Sequence, residues 1–154
     1  MTRSLLLLAA CVLLASCAQW QDFSAPDVSL VDLKIRQARL LETDADLIIR
    51  VANPNPEPMV VRGGEYRLQL DGRDVGKGLS PSLLSIGPYE SVLDTVPAHL
   101  SNPRLLARAL SMVDKELFAY RMKSALRVEM PYGRRKVRSE SEGELDMKKP
   151  PRDW

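Results

Sequence analysis

The sequence predicts an all-β fold, a set of antiparallel strands with one appended helix, and three stretches carry that prediction. Leu47-Ile48-Ile49-Arg50-Val51 is dominated by β-branched and aliphatic residues, which suit a pleated surface covered on at least one side. It runs straight into Asn53-Pro54-Asn55-Pro56, where two prolines remove backbone donors and push the preceding Asn residues out of the helical region, so a ladder must stop there. Asp71-Gly72 is a two-residue hairpin signal, because both residues tolerate the positive φ of a type I′ turn. Finally, Tyr120, Met122, Ser124, Leu126, Val128 and Met130 alternate with Arg121, Lys123, Ala125, Arg127 and Glu129, the period of a strand with one buried face.

The first residues have a different character. Arg3 supplies a short positive region, and Leu5 to Leu14 form an apolar run too short to span a bilayer comfortably, which reads as a secretory signal peptide. The run ends in Leu14-Ala15-Ser16-Cys17. This tetrapeptide resembles the bacterial lipobox, in which small residues admit the peptidase and the Cys becomes the lipid-modified first residue of the mature protein. The alternative is a plain signal peptide with a bystander Cys. On the lipobox reading, residues 1–16 are removed, Cys17 carries fatty acyl chains such as palmitate, and residues 17–27 tether the anchor to a domain over 28–147. Residues 148–154, with Pro150-Pro151, form a disordered tail. In lipoproteins of this kind an Asp straight after the modified Cys favours retention in the inner membrane. Ala18 stands there, so the expected address is the outer membrane, facing the periplasm.

Cysteine usage fits that address, because Cys11 is lost with the signal peptide and Cys17 carries lipid, leaving no thiol for a disulfide. The domain must then be held by its core. At 45% hydrophobic and 27% charged residues the composition is that of a globular chain. The formal net charge of +2 falls to near +1 when Arg3 is removed, so no nucleic-acid partner is expected.

Taken in order, Val28 to Leu41 alternates imperfectly and predicts a long strand with a bulge where the phase slips. Glu42 to Asp46 reads as a polar turn into the Leu47–Val51 strand, and the Asn side chains beyond it can bond back to backbone as Asx turns. Met59 to Arg62 makes a short strand, Gly63-Gly64 a bend, and Tyr66 to Leu70 the first arm of a hairpin pairing Leu68 with Val75. Gly76 and Gly78 thin the returning strand, which Ser80-Pro81 ends or kinks. Leu83 to Ile86, a turn at Gly87-Pro88 and Ser91 to Val96 supply more strand. The helix runs from Pro103 to about Leu117, capped by Asn102, with Leu106, Leu110, Val113 and Leu117 on one stripe that packs on the sheet rather than into a membrane. The closing hairpin turns at Tyr132-Gly133 and returns from Arg134 to about Met147.

This order of features resembles the late embryogenesis abundant group 2 family, also described as the water-stress and hypersensitive-response (WHy) domain. The resemblance covers about Val28 to Asp146 and is sharpest at Asn53-Pro54-Asn55-Pro56, at Leu68-Gln69-Leu70-Asp71-Gly72 with Gly76 and Gly78, and over Tyr120 to Val128. It implies an immunoglobulin-like or fibronectin-like antiparallel β-sandwich with one appended helix, in keeping with the strands and turns read above. The basic turn Arg134-Arg135-Lys136 departs from the family pattern.

Few residues offer chemistry. His99 is the only histidine, so a His-based metal cluster is excluded, and its place in Pro97-Ala98-His99-Leu100 suits a surface or capping role. Asp44 and Asp46 have a spacing that suits Ca²⁺, but the other oxygen ligands of a recognised loop are missing and a polar turn explains them. The glycines sit at hairpin positions, not in a phosphate loop. No catalytic residue, cofactor or metal is expected. In the closing hairpin, a turn at Tyr132-Gly133 sets Lys123 opposite Glu142, Arg121 opposite Glu144, Glu129 opposite Lys136 and Arg127 opposite Arg138. The last is a like-charge pair beside Arg134 and Arg135. A corner of Arg127, Arg134, Arg135 and Arg138 is therefore the candidate contact for an anionic surface such as lipid head groups, against the plainer reading of a solvated basic corner.

These features predict a non-enzymatic, lipid-anchored periplasmic domain that binds or protects the cell envelope, with desiccation or osmotic stress as the role the resemblance implies. Its expected partners are the membrane, through the anchor, and lipid or envelope proteins. The alternative is a lipid-handling module holding an acyl chain between the sandwich and the helix. A hydrolase ranks behind both.

Overall fold

The computed structural model describes residues 23–39, 42–100 and 117–146. Their strands are β1 (Asp27–Ala38), β2 (Thr43–Ala52), β3 (Met59–Leu70), β4 (Arg73–Ile86), β5 (Ser91–Leu100), β6 (Leu117–Met130) and β7 (Gly133–Asp146). They hydrogen-bond as one sheet in the order β1-β2-β5-β4-β3-β6-β7, every neighbouring pair antiparallel. The expected all-β antiparallel class is what forms, curled into a half-barrel. The expected helix lies outside the described residues except for Leu117, which opens β6. The signal peptide, Cys17 and the tail at 148–154 also lie outside them.

β2 is the deepest strand. Leu47, Ile49 and Val51 are fully buried while Ile48 and Arg50 are half-exposed, the alternation the sequence predicts. The strand starts earlier than expected, since Thr43 and Ala45 are buried and continue the same phase through what reads as a polar turn. β1 carries two register shifts, at Leu30/Asp32 and Ile35/Gln37, in place of the single expected bulge. In the β3–β4 hairpin, Asp71 and Gly72 take φ of 47° and 77°, as a type I′ turn requires. Leu68 pairs with Gly76 rather than Val75, because β4 bulges by one residue and turns Val75 into the core. β4 also runs through Pro81. That residue lies opposite a second bulge, at Gly63, where no ladder donor is needed.

Two devices curl the sheet. The first is the narrow joint between β4 and β5, limited to Gly76–Leu100, Lys77–His99 and Gly78–Ala98. A Cβ on Gly76 would collide with the His99 carbonyl oxygen and stand 2.9 Å from Leu100 Cα, so the strands cross here only because the glycine has no side chain. Past the joint the two strands separate and side chains bridge them: Ser80 Oγ donates to Asp94 Oδ2 at 2.8 Å and Ser82 Oγ to Asp94 Oδ1 at 3.1 Å. The second device brings edge strand β1 against edge strand β7. Tyr120 lies over Gly143, whose Cβ would be 2.8 Å from the ring, and its hydroxyl accepts the Leu30 N–H at 3.3 Å.

Where β2 ends, the buried Asn53 and Asn55 gather the neighbouring turns. Asn53 Nδ2 donates to Glu57 O at 2.8 Å and Gly87 O at 2.9 Å, and Asn53 Oδ1 accepts both Asn55 N and Asn55 Nδ2 at 3.0 Å. Asn55 in turn bonds both backbone groups of Ser24, at 2.9 Å each. Phe23 packs against the core and Pro26 is buried, so this part of the expected tether is held to the domain.

Ile49→Ala is expected to cost about 2–5 kcal/mol in a urea melt, through lost transfer energy and a cavity, and Arg50→Ala a small fraction of that. Asn53→Ala should cost about 3 kcal/mol, because it strands the buried Asn55 N–H and takes the donor from two part-buried carbonyls.

Candidate functional site

The site is built on the outer face where β4, β3, β6 and β7 lie side by side. The β6–β7 hairpin turns at Pro131-Tyr132, with Met130 opposite Gly133, and not at Tyr132-Gly133. The correction moves the register by two residues, so every side chain keeps its face and changes its partner. Lys123 faces Glu140, Arg121 faces Glu142, Glu129 faces Arg134, and Arg127 faces Lys136. Arg138 faces Ala125, so the expected Arg127–Arg138 opposition does not form; the like-charge pair is Arg127 with Lys136.

The two halves of this face differ in charge. Far from the turn, Arg121 Nε lies 2.6 Å from Glu142 Oε1 and 3.4 Å from Glu140 Oε1, with Lys123 3.7 Å from Glu140. These exposed pairs neutralise one another and contribute little stability. Near the turn, Glu129 bonds both Arg62 and Arg134, the latter at 3.2 Å. Arg62 first and Arg134 second hold its carboxyl below the ordinary glutamate range. Arg134 is therefore committed to a carboxylate. Arg135 stands opposite Val128, on the other face of the strand from its neighbours. Of the four arginines the sequence gathered, Arg127 and Arg138 share the outer face, together with Lys136, which the sequence reading had assigned to Glu129. Among the described residues no carboxylate forms an ion pair with these three. Placing the turn on Pro131, whose fixed φ suits the first turn position, would have found Lys136.

Beside these cations runs a groove of about 500 Å³, lined by Leu79, Ser80 and Pro81 on one side, Gly63 and Gly64 at its floor, and Ala125, Arg127 and Lys136 on the other. The floor lies where β3 bulges at Gly63, at φ +80°: the ladders shift between Arg62 and Gly64 on the β4 side and between Val61 and Gly64 on the β6 side. On the β6 side the bulge leaves Arg62 without a ladder partner, and Arg127 Nε donates to its carbonyl at 3.1 Å. A Cβ on Gly63 would lie 2.6 Å from the Ser80 carbonyl oxygen and 3.3 Å from Arg127 Nη2. The groove opens outward over Tyr66, whose phenol is pushed well above its ordinary range by burial first and by the Asp94 carboxylate second.

The other residues singled out by sequence lie elsewhere. His99 is exposed on β5, its Nδ1 2.9 Å from Asp44 Oδ1 and 3.4 Å from Glu42. Asp44 also meets Arg39 at 3.4 Å, and Asp46 meets Arg36 at 3.4 Å. Both aspartates are thus engaged with basic side chains. Among the described residues, no group of three His, Cys, Asp or Glu is disposed to hold a metal ion.

A family model described as late embryogenesis abundant protein matches residues 49–143, a span that holds the Asn-Pro stop, the groove and most of the closing hairpin. Among solved structures, an Arabidopsis thaliana protein in solution is similar at 18% identity with a TM-score of 0.58, covering 82% of this chain and 86% of that one. The solution structure of a protein described as late embryogenesis abundant is similar at 15% identity with a TM-score of 0.51, covering 94% and 86%. At these identities the likeness is one of fold. A comparison with curated protein sequences finds no match.

The Glu129 carboxyl should titrate below the ordinary glutamate range by NMR, and Arg62→Ala should raise it. Since its folded pKa is lowered, its contribution to stability is present above the unfolded pKa and is lost as pH falls through the lowered value. Gly63→Ala should destabilise by more than about 1 kcal/mol, because the left-handed backbone and the Ser80 carbonyl both oppose a Cβ.

Proposed function

The chain belongs to the late embryogenesis abundant protein family, and from that premise we propose that it is a non-enzymatic domain, lipid-anchored through Cys17 on the periplasmic side of the outer membrane, that protects the envelope in desiccation or osmotic stress by binding to it. The observation that carries this reading is the lining of the outer groove. It offers cations and apolar surface for holding a partner, while its hydroxyl, on Ser80, is bonded to Asp94 and its carboxylate, on Glu65, is paired with Arg67 at 3.7 Å. Such a lining binds rather than activates a nucleophile.

Membership of the group 2 or WHy branch is supported by Asn53-Pro54-Asn55-Pro56, whose amides close the end of the domain. The half-barrel itself is read as an immunoglobulin-like or fibronectin-like sandwich, with β1-β2-β5 as one layer and β4-β3-β6-β7 as the other, hinged at the three-pair joint. For a folded sheet with a buried core, protection means contact with membranes or client proteins rather than the action of a disordered chain.

The reading is tested in cells. Cys17→Ser should abolish fatty-acid labelling and leave uncleaved precursor. A strain lacking the protein should lose viability on drying, regain it with the wild-type chain and not with Cys17→Ser. Normal labelling of the variant, or full rescue by it, would overturn the anchored role.

A further inference from the structure

The topology puts three things at one end of the half-barrel. Phe23 to Pro26 arrive there, held by Asn55. The Gly87–Glu90 turn lies there too, tied to the same Asn pair by Asn53 N to Glu90 O at 2.9 Å and Tyr89 N to Asn55 O at 3.2 Å. So does the Pro131-Tyr132 turn, because Val60, second residue of β3, pairs with both Ser85 and Glu129. The far end holds the Asp71-Gly72 turn, the end of β5 at Leu100 and the start of β6 at Leu117.

The outer face of these strands is amphipathic across the sheet, from a mid-strand row of Leu79, Glu65, Ala125 and Arg138 toward the near end. β4 contributes Leu79 and Leu83, the latter 63% exposed, and the adjoining turn contributes Tyr89 at 71%. Past the Gly63-Gly64 floor come Arg127, Lys136 and Arg138. Large apolar side chains on open strand positions are unfavourable in water unless something covers them, and the cations beside them choose an anionic cover.

We infer that the outer face of β4, β3, β6 and β7, from mid-strand to this end, is a membrane-docking surface, in which Arg127, Lys136 and Arg138 meet the phosphates of anionic phospholipids while Leu79, Leu83 and Tyr89 enter the interfacial layer. The inference rests on the lipid-anchored reading for its geometry. Five residues separate Cys17 from Phe23, and a chain that short reaches at most about 20 Å, so an anchor at Cys17 holds this end, and not the far one, against the bilayer. Tethering makes the contact intramolecular, with an effective concentration in the millimolar range or above, so cations contributing about fivefold each suffice to keep the domain down.

The test uses the lipidated full-length mature protein reconstituted in phosphatidylcholine vesicles with or without phosphatidylglycerol. With Cys17 acylated, a single introduced cysteine is the only thiol, so a fluorophore goes on Ser85→Cys, beside Leu83 on the outer face of β4, or on Lys34→Cys, exposed on β1. A quencher carried on lipid should quench the residue-85 label several-fold more than the residue-34 label in phosphatidylglycerol vesicles. High salt, Lys136→Glu with Arg138→Glu, or Leu79→Ser with Leu83→Ser should remove the difference. Equal quenching of both labels, or a difference indifferent to phosphatidylglycerol and to the charge reversals, would overturn the inference. Mass spectrometry of the mature N-terminus reports separately on the anchor. Where it shows no lipid at Cys17, the anchored reading fails, and co-sedimentation of the unlipidated chain with the same vesicles decides the surface: salt-sensitive pelleting lost in Lys136→Glu/Arg138→Glu supports it, and absence of pelleting rejects it.

Discussion

Two buried side-chain amides carry the end of the domain on which the rest is set. Asn53 and Asn55 lie within a few per cent of full burial, and an amide there costs stability unless each of its groups finds a partner. Here they do. The donors of Asn53 go to the Glu57 and Gly87 carbonyls, its oxygen takes two donors from Asn55, and Asn55 closes a two-bond ring with Ser24. The interleaved prolines fit this arrangement because each removes a backbone N–H that would otherwise compete for an acceptor in the same small volume. The network is worth having only when complete, since losing one member leaves several groups unpaired at once. Its completeness ties β2, β3, the β4–β5 turn and the segment around Ser24 into one unit.

From that fixed end the shape follows from a few close approaches. Gly76 and Gly78 let β4 cross β5, and beyond them the strands part and are held by Ser80, Ser82 and Asp94 instead of a ladder. Gly143 lets Tyr120 reach from β6 across β7 to the Leu30 N–H, which caps a donor on the open edge of β1. Gly63 does for the outer face what these do for the inner one. Its left-handed backbone bulges β3, shifts the ladders on both sides, makes a floor, and presents the Arg62 carbonyl to Arg127. The groove is thus a consequence of one residue's conformation, with the charge supplied by the strand beside it.

Much of this was legible in the sequence, and the misses have physical causes. Period-two alternation gave the faces of β2 and β6 correctly, because a buried face tolerates no slip of one residue. Partners were harder. Shifting the last turn from Pro131-Tyr132 to Tyr132-Gly133 moves the register by two, which leaves every face unchanged, so alternation cannot detect the error. The shift changes charge pairing, a term too weak to set register by itself, and would set Tyr120 opposite Leu145 instead of Gly143, a fit between particular residues that alternation does not report. Gly63-Gly64 and Ser80-Pro81 read as breaks because each opposes strand propensity. In the structure they lie opposite one another, and a bulge in one strand accommodates the proline in the other. That compensation is between segments far apart in sequence, which local reading does not see.

The remaining question is how a chain of nearly balanced charge can present a cationic surface at all. Along β7 the outward residues run Arg134, Lys136, Arg138, then Glu140, Glu142 and Glu144, so the signs are sorted along the strand rather than mixed. At about 3.4 Å per residue, Lys136 stands roughly 20 Å from Glu142, twice the screening length of about 10 Å at 0.1 M salt. The nearer Glu140 is engaged by Arg121 and Lys123. Glu129 and Glu65 on the same face are likewise taken up, by Arg62 and Arg134 and by Arg67, so an anion approaching the patch meets Arg127, Lys136 and Arg138 with the nearest acids already paired. Net charge describes the whole chain, whereas recognition is set within one screening length, and on that scale the patch around Arg127, Lys136 and Arg138 is basic.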